Sequence, residues 1–185
     1  MRWFLVSVLA LALLLLAGCW AVSIFPLYTD KDLIWDKQLV GSWSTSDGSN
    51  SIWSFAPSDT NSYVLTVREE NERDAQFEAH LLRLKDHLFL DLLPAQGDFA
   101  SDFYTGHLLP AHSFWRVDLK DDTLRLGMLS MDWLEEAIDK GTVSIPHLER
   151  NDGYVLTAPT QELQAFVLSH LEEAFKWEDP LVRIP

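Results

Sequence analysis

The string Leu88-Phe89-Leu90-Asp91-Leu92-Leu93 holds one carboxylate among five apolar residues. If buried, Asp91 must be paired, hydrogen-bonded or protonated, because a lone charge in an apolar interior is heavily penalised. His112 and Arg116 stand at alternate positions of one face in a later strand-like stretch and are plausible partners. Two readings follow. One is a structural ion pair inside the fold. The other is a polar anchor for a ligand in a mostly apolar cavity, a use that would also recruit Trp115. A catalytic role for Asp91, His112 and Arg116 would require all three within hydrogen-bond reach of one another, directly or through a water.

Other chemistry finds little support. The chain has no Gly-x-Ser-x-Gly, His-Glu-x-x-His, Gly-x-Gly-x-x-Gly or phosphate-binding loop. No catalytic residue, metal or cofactor is therefore assigned, and the protein is not expected to be an enzyme. His107 and His112 are five residues apart, with Asp98 and Asp102 nearby, but isolated surface or loop histidines account for that spacing better than a metal site does. His170 falls on an apolar helical stripe and reads as a packing residue. The 17 residues Pro94–Pro110 have no clear periodicity and carry Phe99, Phe103 and Tyr104. A loop of that length in a compact domain is often a lid or a binding loop. The expected ligand-binding set is thus Asp91, Phe99, Phe103, Tyr104, His112, Trp115 and Arg116.

The elements that would hold these residues are mostly strands. Apolar and polar residues alternate over Leu39–Thr45, Ser51–Phe55, Tyr63–Glu69, Ala75–Leu84, His87–Leu93, His112–Leu119 and Thr123–Leu129, with turn-forming or charged residues between them. One apolar and one polar face on most of them predicts an antiparallel sheet. A short helix is predicted at Met131–Lys140, capped by Ser130 and ended by Gly141. Two further strands, Val143–Leu148 and Gly153–Thr157, and a final helix from about Pro159 to Trp177 complete the chain. The fold class is mainly β: an antiparallel up-and-down barrel with a short inserted helix and a C-terminal helix, a sandwich being the alternative. The aromatics Trp43, Trp53, Phe55, Tyr63 and Trp115 either line a cavity or fill a narrow barrel, and the sequence leaves both open.

The string Asp36-Lys37-Gln38-Leu39-Val40-Gly41-Ser42-Trp43 resembles the opening of lipocalin-type barrels. The resemblance implies that Gly41 permits close backbone approach and that Trp43 plugs the closed end. It also implies an arginine partner for the tryptophan, for which Arg125 and Arg150 are candidates.

The single cysteine is explained by its context. A positive start at Arg2, an uncharged run from Trp3 and small residues at 17 and 18 make a secretory signal. Leu16-Ala17-Gly18-Cys19 resembles the lipobox of bacterial lipoproteins, and the chain is similar to small bacterial lipoproteins that supply no activity to carry over. The resemblance implies lipidation of Cys19, a membrane partner through that N-terminal lipid, and a place outside the cytoplasm, by default on the periplasmic face of the bacterial outer membrane. The alternative is an uncleaved signal anchor, since the uncharged run extends to Leu27. The regions then read as a signal peptide at 1–18, a lipid anchor and tether at 19–38, and the barrel with its helix at 39–185.

With 14 Lys+Arg against 28 Asp+Glu, the net charge is −14, which makes nucleic acid a poor partner. The expected function is binding of a small apolar or amphipathic ligand in the cell envelope. The alternative is a non-enzymatic interaction or assembly module whose acidic surface meets a basic partner, with no particular protein indicated.

Overall fold

A computed structural model of the protein describes residues 21–45, 51–58, 61–95, 105, 107–150 and 153–184. In chain order the first strands are β1 (Val22–Ser23), β2 (Gly41–Thr45), β3 (Ile52–Pro57), β4 (Tyr63–Arg68), β5 (Ala75–Leu84), β6 (His87–Pro94), β7 (His112–Lys120) and β8 (Thr123–Leu129). Strands β2 to β8 pair antiparallel in sequence order. The last strand, β12 (Leu181–Ile184), closes the ring by pairing with β8 at Leu181↔Leu124 and with β2 from Leu181↔Thr45 to Ile184↔Ser42. The result is a mainly-β, up-and-down antiparallel barrel, as the period-two alternation predicts, closed with eight strands.

The hairpins are tight where polar residues accept a left-handed backbone. Lys85 (φ 53°) and Asp121 (φ 50°) sit in two-residue turns joining Leu84 to His87 and Lys120 to Thr123. Inward-facing Trp43, Phe55, Tyr63, Leu65, Ala79, Leu81, Leu90, Leu92, Trp115, Val117, Leu124, Leu126 and Leu181 form one buried core. The lumen is thus filled with side chains, as expected of a narrow barrel.

A second core lies outside the barrel. Leu82, Leu84, Phe89, Phe114 and Leu129 point outward and are buried beneath an insertion between β8 and β12. The insertion comprises α1 (Met131–Asp139), β9 (His147–Arg150), β10 (Gly153–Leu156), α2 (Thr160–Ser169), α3 (Leu171–Ala174) and β11 (Phe175–Trp177). Ser130 caps α1 by accepting from the Trp133 N–H, and Gly141 follows in a left-handed conformation (φ +67°). Leu134 and Ala137 of α1 and Leu163, Phe166 and Val167 of α2 supply the covering layer.

Beyond shifts of one or two residues at strand ends, two elements of the insertion differ from the sequence expectation. The helix predicted to reach Trp177 breaks at His170, resumes for one turn, and gives way to β11, because Phe175–Trp177 pairs with Leu129–Gly127 at the end of β8. The strand predicted from Val143 begins only at His147. The preceding Pro146 has no N–H to give a ladder, while Val143 and Ile145 are buried by packing instead.

Residues 21–38, read as a tether, are built into the fold from Ala21 onward. β1 pairs parallel with β10 and antiparallel with the start of β7. Farther on, Ile34 N–H donates to Leu81 O and Leu33 bridges Leu82. Thr160 Oγ and Gln164 Nε2 of α2 donate to the carbonyls of Pro26 and Leu27. Ala21, Leu27, Tyr28 and Leu33 of this segment join the outer core.

Candidate functional site

The two ends of the barrel differ. At the end where β2 begins, Trp43 is fully buried and its Nε1–H donates to Leu39 O at 3.0 Å. The Arg183 guanidinium lies 4.2 Å from the centre of the Trp43 ring and donates to the carbonyls of Val40 and Gln38. Trp43 therefore has an arginine partner, but it is Arg183 of the closing strand rather than Arg125 or Arg150. Arg125 instead flanks Trp177, 5.1 Å from its ring. Gly41 is needed here for two reasons. Its φ is +133°, and a β-carbon would stand 2.5 Å from Arg183 Nη1.

At the opposite end, inward-facing Trp53, Val67, Phe77 and Met128 are only half-buried, above a nearly buried Trp115. Trp53 meets Trp115 edge-on with ring centres 5.5 Å apart, and Trp115 Nε1–H donates to Ser113 Oγ at 3.3 Å. Together these residues line the lumen at this end, with Ser113 Oγ beside them.

The polar residues singled out from the sequence lie elsewhere. Asp91 is fully buried, but on the outer face of β6 beneath the N-terminal segment. Its Oδ1 accepts from His112 Nδ1 at 2.6 Å, and its Oδ2 accepts from the Leu27 N–H at 2.7 Å. One carboxylate oxygen is thus bound within the wall, across β6 and β7, and the other ties the N-terminal segment to it, in accord with the structural reading. Arg116 does not reach Asp91. It contacts Leu171 O at 3.2 Å and Glu172 Oε1 at 3.0 Å, and lies against Trp177.

Next to this pair, His80 stacks on Tyr28 with ring centres 4.4 Å apart, and its Nε2 is 3.4 Å from Glu78. Burial lowers the His80 pKa against the opposing pull of Glu78 and Asp91. Burial, reinforced by the negative charges of Asp91, Glu78 and Asp30, pushes the Tyr28 phenol up to about 12.

The described members of the proposed set therefore do not converge. Consecutive strand residues point to opposite faces, so Trp115 faces the lumen while Phe114, Arg116, Asp91 and His112 face outward. Phe99, Phe103 and Tyr104 lie outside the described residues, as do Asp98, Asp102 and the Leu16-Ala17-Gly18-Cys19 string. Among the described residues no cluster of three or more His, Cys, Asp or Glu could hold a metal ion, and no helix is long and apolar enough to cross a membrane. His170 packs between Trp133 and Phe166. It also borders a groove of about 330 Å³ that runs between residues 142–146 and α2, outside the barrel.

Sequence reasoning found Trp115 and Trp53 as strand aromatics but missed their meeting across the mouth. Compared with known proteins, the chain matches no family model, no curated sequence and no solved structure.

Proposed function

We propose that the protein is a lipid-anchored, extracytoplasmic binding protein that takes a small apolar or amphipathic molecule in the mouth of its barrel. The carrying observation is the asymmetry of the two ends. One is sealed by Trp43 under Arg183, and the other leaves Trp53, Val67, Phe77 and Met128 half-exposed around Trp115. Large apolar side chains left half-wet in a concave site are where an apolar group gains most from leaving water. Because the lumen below is filled, the ligand sits in the mouth and not deep in the barrel.

The lipocalin-like opening of β2 and its arginine-backed tryptophan support the same reading. Anchoring rests on the lipobox-like Leu16-Ala17-Gly18-Cys19 and places the domain in the cell envelope.

The test is titration with N-phenyl-1-naphthylamine, an uncharged apolar fluorophore that a strongly acidic protein does not repel. Saturable energy transfer from tryptophan, weakened roughly tenfold by Trp53→Ala through loss of one aromatic contact surface, supports the reading. Absence of saturation, or saturation indifferent to Trp53→Ala, rejects it.

A further inference from the structure

Strands β1, β10 and β9 form a flap that extends the barrel wall from the start of β7. Its two faces differ. Ala21, Ser23 and Leu156 point toward the helices and are 2%, 0% and 0% exposed. Val22, Val155 and Leu148 are neighbours across the three strands, with Val22 in register with Val155 and Val155 with Leu148. Register neighbours share a face, so these three make an apolar row on the side away from the helices. None of the three belongs to either hydrophobic core, and Leu148 is 58% exposed.

The position of this row relative to Cys19 sets what it meets. Ala21 is two residues beyond Cys19, about 7 Å of fully extended chain. Ala21 is itself buried, and Val22 is hydrogen-bonded into the flap between β7 and β10. An acyl group on Cys19 would therefore have almost no slack between the bilayer and the folded body. The helix-covered face of the flap is occupied. The other face carries exposed Leu148 beside part-buried Val22 and Val155, an uncharged stretch on a protein of net charge −14, whose acidic surface an anionic membrane would repel.

We infer that the Val22–Val155–Leu148 face of the flap is the surface on which the domain rests against the lipid bilayer. This rests on the acylation of Cys19 proposed above. The barrel is then held in one orientation at the membrane and does not swing on a leash.

The full chain, produced with its N-terminal segment and purified from membranes, tests this. Leu148→Cys and Val64→Cys variants would each carry an environment-sensitive fluorophore. Val64 is a 38% exposed residue of β4, a strand not adjacent to the flap. Each would be reconstituted into vesicles of phosphatidylethanolamine and phosphatidylglycerol containing doxyl-labelled phospholipid. The expected result is quenching at position 148 several-fold greater than at 64. Equal quenching at both positions, in protein whose mass shows an acylated Cys19 terminus, overturns the inference and leaves the anchor standing. A mass showing an intact Met1 terminus removes the anchor reading, and the inference falls with it.

Discussion

The Arg183 guanidinium covers the Trp43 ring at 4.2 Å and donates to Val40 O at 2.8 Å, so the last strand of the barrel locks down the first. The guanidinium also donates to Gln38 O, and a fourth contact, Arg183 Nε to Asp122 Oδ1 at 3.0 Å, reaches the β7–β8 turn. Removing the side chain costs two carbonyl hydrogen bonds and a cation–π contact. Arg183→Ala should therefore lower unfolding free energy by about 2–4 kcal/mol. Arg183→Lys should recover only part, because an ammonium cannot fork to two carbonyls while lying flat on a ring. Urea midpoints of the three proteins, at constant m-value, check this.

Gly41 lies under the same arginine. Alanine there meets two penalties at once: a left-handed φ of +133° and a β-carbon 2.5 Å from Arg183 Nη1. Gly41→Ala should destabilise by about 1–3 kcal/mol. In an Arg183→Ala background the steric part disappears, so the two substitutions should cost less together than their sum. A double-mutant cycle by thermal or urea unfolding measures that difference.

The wall of this fold was far more legible than its contents. Ala75–Leu84 and Thr123–Leu129 match their predicted bounds, because each has a buried face alternating with an exposed or packed one, and turn residues flank them. The closing strand Leu181–Ile184 was not legible. It is four residues beside a proline, and its partners lie at the other end of the chain. Such pairing leaves no local signal, and Arg183 was hidden with it. The sequence offers Asp91 as a carboxylate that, if buried, needs a partner such as His112 or Arg116, and of the two it is His112 that pairs with it. Its second partner, the Leu27 backbone, is 64 residues away and unreadable from side-chain types. Placing Trp115 and Arg116 in one site contradicted strand alternation, a conflict already visible in the sequence.

Asp91 joins β6, β7 and the N-terminal segment. Asp91→Ala would strand the Leu27 N–H and His112 Nδ1 in a dry site, at an expected cost of about 3–5 kcal/mol. Asp91→Asn keeps an acceptor for one of the two and should cost less. The diagnostic readout is local. Amide exchange at Leu27 should accelerate in both variants by more than exchange at inward-facing Leu90, whose ladder stays intact. Equal acceleration at both sites would mean that Asp91 acts through global stability alone.

His80 supplies a pH dependence whose sign follows from its surroundings. Burial holds its folded pKa below the ordinary 6.5, outweighing the pull of Glu78 and Asp91, while His112 pushes in the same direction as burial. Between the folded pKa and 6.5 the unfolded chain binds more protons than the native state, so stability rises with pH across that window. The contribution is complete above about 6.5 and is lost as pH falls through the folded value. His80→Phe keeps a ring to stack on Tyr28 and removes the titration. The urea midpoint of wild type should fall between pH 8 and pH 5 by more than that of the variant. Asp32, whose pKa is lowered from 3.8 by hydrogen bonds from Thr29 and Gln164 despite its burial, acts only in more acidic solution and does not confound the comparison. If the two proteins lose stability in parallel over that range, His80 is not the titrating group.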